Sequence, residues 1–214
     1  MQRKARPAKQ RHAPGETARV RPPDRAGMED GIRRFLLACG VDLDDVNVRE
    51  TPARVAKAWA EEFLDGYDKD PHEVLGKFYE ERKPLADEMV VVTSIDFQSM
   101  CPHHLLPYRG VAHVAYLPAG RIVGFSQLAK LVDAYAHRLI LQETLAREVA
   151  EAIRRELGSA GAAVVLEAEQ TCMTVRGERR SQARAITEAF TGAFAQRADL
   201  RERFVRRAAA GGGR

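Results

Sequence analysis

The spacing of apolar residues predicts that the first part of the chain is helical. Between residues 28 and 39, apolar side chains recur every three or four positions, as on one face of a helix. Thr51 as N-cap and Pro52 at the first helical position predict the start of a second helix. The expected buried stripe of that helix is Val55, Ala58, Trp59, Phe63 and Leu64. A short third helix is predicted over residues 71–79.

The pattern changes near Glu88, where strands begin to alternate with helices. A β-rich run over residues 89–97 and an alternating run over 110–116 predict two strands. Ser126 is predicted to cap a helix, and a second helix is predicted between residues 142 and 157. The remaining predicted elements are strands over 164–168 and 184–194 and a helix over 200–207.

This order of elements, β-β-α-α-β-β, predicts an α+β fold in which helices cover one face of an antiparallel sheet. We expect a helical extension over residues 27–86, a sheet domain over 87–207 and a short tail over 208–214. Four strands alone leave two edges unpaired, and unpaired edges must be covered or joined to another chain. A homo-oligomer is therefore expected.

Charge is concentrated at the N-terminus. Residues 1–26 hold eight Lys or Arg residues against two acidic ones, although the formal net charge of the whole chain is only +4. The segment is rich in proline and poor in large apolar side chains, which predicts a disordered basic tail. Such a tail could contact polyanions weakly, but the rest of the chain is slightly acidic, so nucleic acid is not the expected partner.

Composition favours a protein of the cytoplasm. Hydrophobic residues make up 45% of the chain, yet no apolar run approaches the roughly 20 residues that cross a bilayer. The basic N-terminus lacks the apolar segment of a secretory signal. Three cysteines do not form a disulfide framework, which indicates a reducing compartment. Cys39 lies in an apolar helical run and is predicted to belong to the core.

Two other cysteines and two histidines form the chemically most suggestive pattern. Cys101, His103 and His104 stand within four residues, and Cys172 follows much later. Thiolate and imidazole are preferred ligands of Zn²⁺, and three protein ligands with one open position are typical of a catalytic zinc. Cys101, His104 and Cys172 can supply that set, leaving His103 as a proton carrier. The alternative is that the cysteines are small core residues and the histidines belong to a loop.

Around these residues the sequence resembles the GTP cyclohydrolase I family. The similarity extends in order from about residue 28 to residue 207. The segments that carry it are Glu50-Thr51-Pro52-x-Arg54-Val55-Ala56-Lys57, Cys101-Pro102-His103-His104-Leu105-Leu106-Pro107, Gly110-x-x-His113-x-x-Tyr116-Leu117-Pro118, Gly124-x-Ser126-x-Leu128-Ala129, Leu141-Gln142-Glu143-x-Leu145 and Cys172-Met173-x-x-Arg176-Gly177. The resemblance implies a tunnelling fold that assembles edge to edge, usually as a decamer with sites between subunits. It also implies hydrolysis of GTP to 7,8-dihydroneopterin triphosphate and formate, the first step toward folate or biopterin.

The resemblance also implies a role for each site residue. Zinc held by Cys101, His104 and Cys172 would activate a water, and His103 would protonate the guanine ring nitrogen as the C8–N bond breaks. Glu143 would accept hydrogen bonds from guanine N1–H and the 2-amino group. Gln142 would complete the base pocket, and the triphosphate would be held by Ser126, Lys130, Arg176 and, from a neighbouring subunit, Arg54 and Lys57. On sequence alone, Glu143 is also compatible with a carboxylate favoured at a helix N-terminus, and the two lysines with ordinary solvated residues.

Three positions depart from the family pattern. Gln170 stands where the family usually has a His two residues before the second zinc Cys, and Gln can form hydrogen bonds but cannot titrate. Gln127 and Lys130 replace a Lys and an Arg, which removes one positive charge from the expected phosphate site. Glu178 replaces an apolar residue.

These departures leave other functions open. One is a divergent enzyme that is slow or stops at a ring-opened formylated intermediate. Another is a tunnelling-fold enzyme that acts on a different purine, pterin or deazaguanine. The third is a non-catalytic, zinc-bound interaction protein that uses the basic tail.

Overall fold

A computed structural model describes residues 21–80, 88–177 and 179–211 of the chain. The first 20 residues of the predicted basic tail lie outside the described residues, as do Glu178 and part of the predicted helical extension. The tail was predicted to end at residue 26, but a helix already begins at Arg25.

Short helices make up the N-terminal region. Helix α1 spans Arg25–Ala38 and is capped by the Asp24 carboxylate, which accepts the Gly27 N–H at 3.0 Å. The next elements are α2 (Thr51–Ala58), a π-helical turn (Trp59–Phe63), a 3₁₀ turn (Asp65–Asp68) and α3 (Pro71–Leu75). Helix α2 begins at Thr51, but its N-cap is Glu50, one residue before the predicted cap.

Two predictions about burial in this region are wrong. The side chains predicted as the stripe of α2 are only half-buried, while Pro52, Ala56 and Ala60 are buried instead. The three buried residues are spaced four apart, so they lie on a helix face beside the predicted one, and a π-helical turn follows from Trp59. Cys39 is exposed rather than part of the core, because it follows the last residue of α1 on a side that the rest of the described chain does not cover.

The central sheet confirms the predicted α+β tunnelling fold. Its four strands are β2 (Val90–Met100), β3 (Pro107–Leu117), β5 (Gly161–Gln170) and β6 (Ala185–Gly192). They are hydrogen-bonded in the order β2-β3-β5-β6, and each neighbouring pair is antiparallel. A separate small ribbon pairs β1 (Phe78–Glu80) with β4 (Arg121–Val123).

One face of the sheet is covered by the helices that connect β3 to β5. They are α4 (Phe125–Ala136) and α5 (Gln142–Leu157), and with the inward side chains of the strands they form the larger core. Helix α5 has its predicted bounds and ends where Gly158 adopts a left-handed φ of 64°. Ser126 is not the cap of α4, because the extended residue before the helix is Gly124.

The other face is only partly covered. After β5 come α6 (Thr171–Thr174), then β6, α7 (Ala193–Gln196) and α8 (Ala198–Gly211). Phe194 of α7 and Leu200 and Phe204 of α8 pack on the sheet in a second, smaller core. Helix α8 continues to Gly211, so residues 208–211, predicted as part of a tail, are helical. Within the described ranges, no helix is long and apolar enough to cross a membrane.

We expect Gly110→Ala to destabilise the fold strongly, because a Cβ at Gly110 would overlap the carbonyl oxygen of Glu167 on the adjacent strand. The strands β3 and β5 must separate to relieve that overlap, which should lower the free energy of unfolding by on the order of 2 kcal/mol or more. Thermal unfolding at fixed protein concentration measures the effect. Gly31→Ala is the matched control, since the position is open in α1 and the change should be neutral or slightly stabilising. Equal melting temperatures for both variants would contradict the expectation.

The buried His113 should make stability depend on pH. Burial lowers the pKa of His113, Glu167 opposes the shift, and Nδ1 of the ring lies 3.4 Å from the donating N–H of Ser94. In the unfolded chain this histidine has its ordinary pKa of about 6.5. As the pH falls below that pKa, the unfolded chain binds the proton more readily than the folded chain, so the free energy of unfolding decreases. We expect His113→Gln to flatten the decline in melting temperature between about pH 7.5 and pH 5.5. An unchanged slope would show that another group is responsible.

Candidate active site

The loop between β2 and β3 holds the first group of candidate site residues. Two backbone hydrogen bonds close it: the Leu105 N–H donates to the Cys101 carbonyl and the Cys101 N–H to the Leu106 carbonyl, both at 2.9 Å. Leu105 has a left-handed φ of 54°, which lets the chain reverse within these few residues. The Cys101 side chain is buried, whereas His103 and His104 are exposed with ring centroids 6.3 Å apart. The loop thus holds the thiol inward and both imidazoles outward.

The second thiol, that of Cys172, lies at the same end of the sheet. Strands β2 and β5 both run antiparallel to β3, so they run in the same direction and end together. Gln170, the last residue of β5, pairs with Tyr108 at the start of β3. The Thr171 hydroxyl then donates to the Pro107 carbonyl, which fixes the chain one residue before the half-buried Cys172. The topology therefore brings the two motifs of the sequence together.

The donor set suits zinc in its chemistry and in its placement on the chain. Cys101 and Cys172 are free thiols, and His104 shares the loop of Cys101. Thiolate and imidazole are the ligands typical of zinc. The side chains are not gathered around one point, however: across residues 21–80, 88–177 and 179–211, no three His, Cys, Asp or Glu residues form a group that could hold a metal ion.

A buried tyrosine lies between the thiol loop and the start of α5. The Tyr108 hydroxyl is 3.0 Å from the Ile140 carbonyl, to which it donates, and the side chain is almost fully buried. Burial raises the pKa of Tyr108, and the charges of Cys101 and Glu143 raise it further. The Ile140 N–H also donates to the Met100 carbonyl at 3.3 Å, so the start of α5, with Glu143 in its first turn, lies beside the Cys101 loop.

Gln142 does not have the environment expected for a residue of a base pocket. Its side chain is buried, and its amide nitrogen donates to the carbonyls of Leu166 at 3.2 Å and Ala185 at 2.9 Å. Its amide oxygen accepts a hydrogen bond from Gln170 at 2.6 Å. Gln142 thus ties the start of α5 to β5 and β6.

The candidate phosphate ligands lie on several elements. Ser126 and Lys130 are exposed on α4, and Lys130 lines an open cleft of about 490 Å³ with Lys69 and Gln127. Lys69 is a second cation in this cleft that the sequence reasoning did not single out. It is paired with Asp65 at 2.6 Å, so part of its charge is already balanced.

A carboxylate–histidine cluster borders this cleft. His137 Nδ1 lies 2.7 Å from Asp65, which is also paired with Lys69. Burial alone would raise the pKa of Asp65, but the hydrogen bonds with Lys69 and His137 outweigh it and hold the pKa below its ordinary value. Burial raises the pKa of Asp133 nearby, against the opposing charges of His137 and Lys69. Residues 65 and 137 are too far apart in sequence for this pairing to be visible as a motif.

The remaining candidate ligands are exposed. Arg176 follows α6, while Arg54 and Lys57 lie on α2, where Arg54 forms an ion pair with Glu50 at 2.5 Å. Helix α2 packs against α1 and continues into the π-helical turn. A shared site between this helix and the thiol loop of a neighbouring copy stays a prediction.

A groove lies elsewhere, along the uncovered face of the sheet. It has a volume of about 620 Å³ and contains Asp96, Arg109, Glu167 and Arg184 among its lining residues. Because this groove contains none of the predicted ligands or substrate contacts, we place the candidate site at the strand ends, where the segments that carry Cys101, Glu143 and Cys172 lie.

The chain is similar over most of its length to known proteins. The sequence model of the GTP cyclohydrolase I family matches residues 28–209. Three proteins named GTP cyclohydrolase 1 are similar over most of the chain. The one from Chromobacterium violaceum is 43% identical, covering 88% of this chain and 90% of that protein. The one from Ralstonia nicotianae is 43% identical and covers 88% of each, and the one from Brucella abortus is 45% identical, covering 86% of this chain and 85% of that protein.

The family match includes the loop with Cys101, the start of α5 with Glu143 and the α6 segment with Cys172. The same three segments meet at one end of the sheet. This chain belongs to the GTP cyclohydrolase I family.

Proposed function

We propose that the protein hydrolyses GTP to 7,8-dihydroneopterin triphosphate and formate. The observation that supports the proposal is that the Cys101 loop, the first turn of α5 with Glu143 and the α6 segment with Cys172 lie at one end of the sheet, joined by the Ile140–Met100 and Thr171–Pro107 hydrogen bonds. A site of this kind combines metal-type donors with a carboxylate suited to a guanine edge. The membership of the family, with relatives named GTP cyclohydrolase 1, supports the same reaction.

Cys101, His104 and Cys172 would hold a zinc ion. When bound, zinc supplies Lewis-acid activation of a water for attack on C8 of the guanine. The half-buried Cys172 and the exposed His104 must turn toward Cys101 to coordinate it, since the three side chains are not gathered in the described chain.

Glu143 would select guanine. A carboxylate accepts hydrogen bonds from both N1–H and the 2-amino group, and bonds to an ionised acceptor are stronger than neutral ones. Adenine offers no such pair of donors on that edge. Glu143 is exposed in the first turn of α5, so its carboxylate is accessible to a ligand.

His103 would handle the proton needed when the C8–N bond breaks. Its imidazole is exposed on the same loop as Cys101 and can deliver a proton to the departing ring nitrogen. The loop's two closing hydrogen bonds restrict where that imidazole can lie relative to the thiol.

One hydroxyl and several cations would bind the triphosphate. Ser126 and Lys130 lie on α4 and Arg176 follows α6, while Arg54 and Lys57 would come from a neighbouring subunit. An assembly through the edges of the sheet, with a decamer as the expected form, would bring such subunits together. We further expect the enzyme to act in the cytoplasm, where its free thiols would stay reduced.

One observation favours a second candidate, a reaction that stops at the ring-opened formylated intermediate. Gln170 replaces the family's usual His, and its amide is bonded to Gln142. An amide in this position cannot carry a proton between water and substrate. If the later steps depend on that transfer, formate release would be slow or absent.

Incubation of the zinc-loaded protein with GTP tests the proposal. We expect dihydroneopterin triphosphate and one formate per GTP, measured by mass spectrometry and a formate assay. A ring-opened product without formate would favour the second candidate. No consumption of GTP would refute both and point to another purine, a pterin or a binding role.

Metal content tests the ligand assignment independently of turnover. Cys101→Ser and Cys172→Ser should each weaken zinc binding by about 100-fold or more, because each replaces a thiolate ligand. Zinc per chain after dialysis, measured by atomic emission, reports the loss. Cys39→Ser is the matched control, since Cys39 is exposed on the N-terminal region and should not affect zinc content. Full zinc retention in either of the first two variants would show that the assigned set is wrong.

A further inference from the structure

Hydrogen bonds fix the orientation of two neighbouring side-chain amides, those of Gln142 and Gln170. The Gln142 amide nitrogen faces two backbone carbonyls, of Leu166 and Ala185, and carbonyls can only accept. The Gln142 amide oxygen must therefore point the other way, toward Gln170, whose amide nitrogen donates to it at 2.6 Å. Reversing either amide would place a donor opposite a donor or an acceptor opposite an acceptor.

This pair fixes the start of α5. Gln142 is the first residue of that helix and directly precedes Glu143. Two residues earlier, the Ile140 carbonyl accepts the hydroxyl of the buried Tyr108. The turn leading into α5 is thus hydrogen-bonded to the sheet at two residues, Ile140 and Gln142, one on each side of Leu141.

Gln170 connects this turn to the second thiol segment. It is the last residue of β5, pairs with Tyr108 and precedes α6, which contains Cys172. A bond from Gln170 to Gln142 therefore joins the end of β5 to the helix that presents Glu143. Loss of the donor would leave the buried oxygen of Gln142 without that bond, and such a loss is costly in a buried site.

We propose that Gln170 is a positioning residue for guanine recognition: its amide, bonded to Gln142, holds the first turn of α5 so that the Glu143 carboxylate meets the N1–H and 2-amino group together. The inference rests on the proposed function, because it assumes that Glu143 binds the guanine edge. It assigns Gln170 a role in selectivity that is separate from any effect on proton transfer.

Inosine triphosphate, which lacks the 2-amino group, separates positioning from general damage. The measured quantity is the ratio of kcat/KM for GTP to that for inosine triphosphate. Gln170→Met has a similar length but no donor, and it should lower this ratio about 10-fold, the equivalent of one hydrogen bond to a charged group. The change should appear mainly as a higher KM for GTP. Glu143→Gln sets the reference for complete loss of the paired contact.

Two further variants sharpen the comparison. Gln170→His keeps a ring N–H that can donate to Gln142, so the ratio should stay within about 2-fold of the wild-type value even if kcat changes. Gln196→Met makes the same chemical change on the exposed end of α7 and should leave the ratio unchanged.

Equilibrium binding of the two nucleotides, measured by calorimetry, makes the same comparison without turnover. If the wild-type protein converts neither nucleotide, the proposed function fails, while the binding ratio still decides the role of Gln170. A wild-type ratio in Gln170→Met would overturn the inference. Equal losses for both nucleotides would also overturn it, since they would indicate general damage to the fold.

Discussion

The site depends on the way in which strand β3 is hydrogen-bonded on both sides. Because β2 and β5 are each antiparallel to β3, their ends lie together on either side of its first residues, about 10 Å apart. The Cys101 loop follows one end and the Cys172 segment the other. Two motifs separated by about seventy residues are thus placed together by sheet pairing, before any metal or substrate contributes.

The sequence predicted the elements well where local chemistry defines their ends. Helix α5 has the predicted bounds because Gly158 provides the left-handed residue that ends it. Strands β2 and β5 extend beyond their predicted apolar runs, since residues such as Gln98 and Glu169 lie on the face of the sheet that α8 leaves uncovered. In the N-terminal region the buried residues are the compact Pro52, Ala56 and Ala60, whereas the prediction followed the larger apolar side chains, which are only half-buried.

The members of the candidate site stay a prediction from the sequence, and the hydrogen bonds that connect them could not be predicted from it. Cys101, His104 and Cys172 have recognisable spacing and chemistry, and so does Glu143 after Gln142. The role of Gln142 was not predictable, because its partners are backbone carbonyls of β5 and β6 that become neighbours only through sheet register. Tyr108 could have been noticed as the first inward residue after the loop, yet its bond to the Ile140 carbonyl joins positions that no local pattern relates.

The three thiols differ in accessibility, and this difference has a practical consequence. Cys39 is exposed near the end of α1, Cys172 is half-buried and Cys101 is buried. Alkylating reagents need an accessible thiolate, so in the native protein they should react first at α1, remote in sequence from the strand ends. The native chain therefore offers a natural attachment point for a fluorophore. A probe there would report on the surroundings of α1 while leaving the two thiols at the strand ends unchanged.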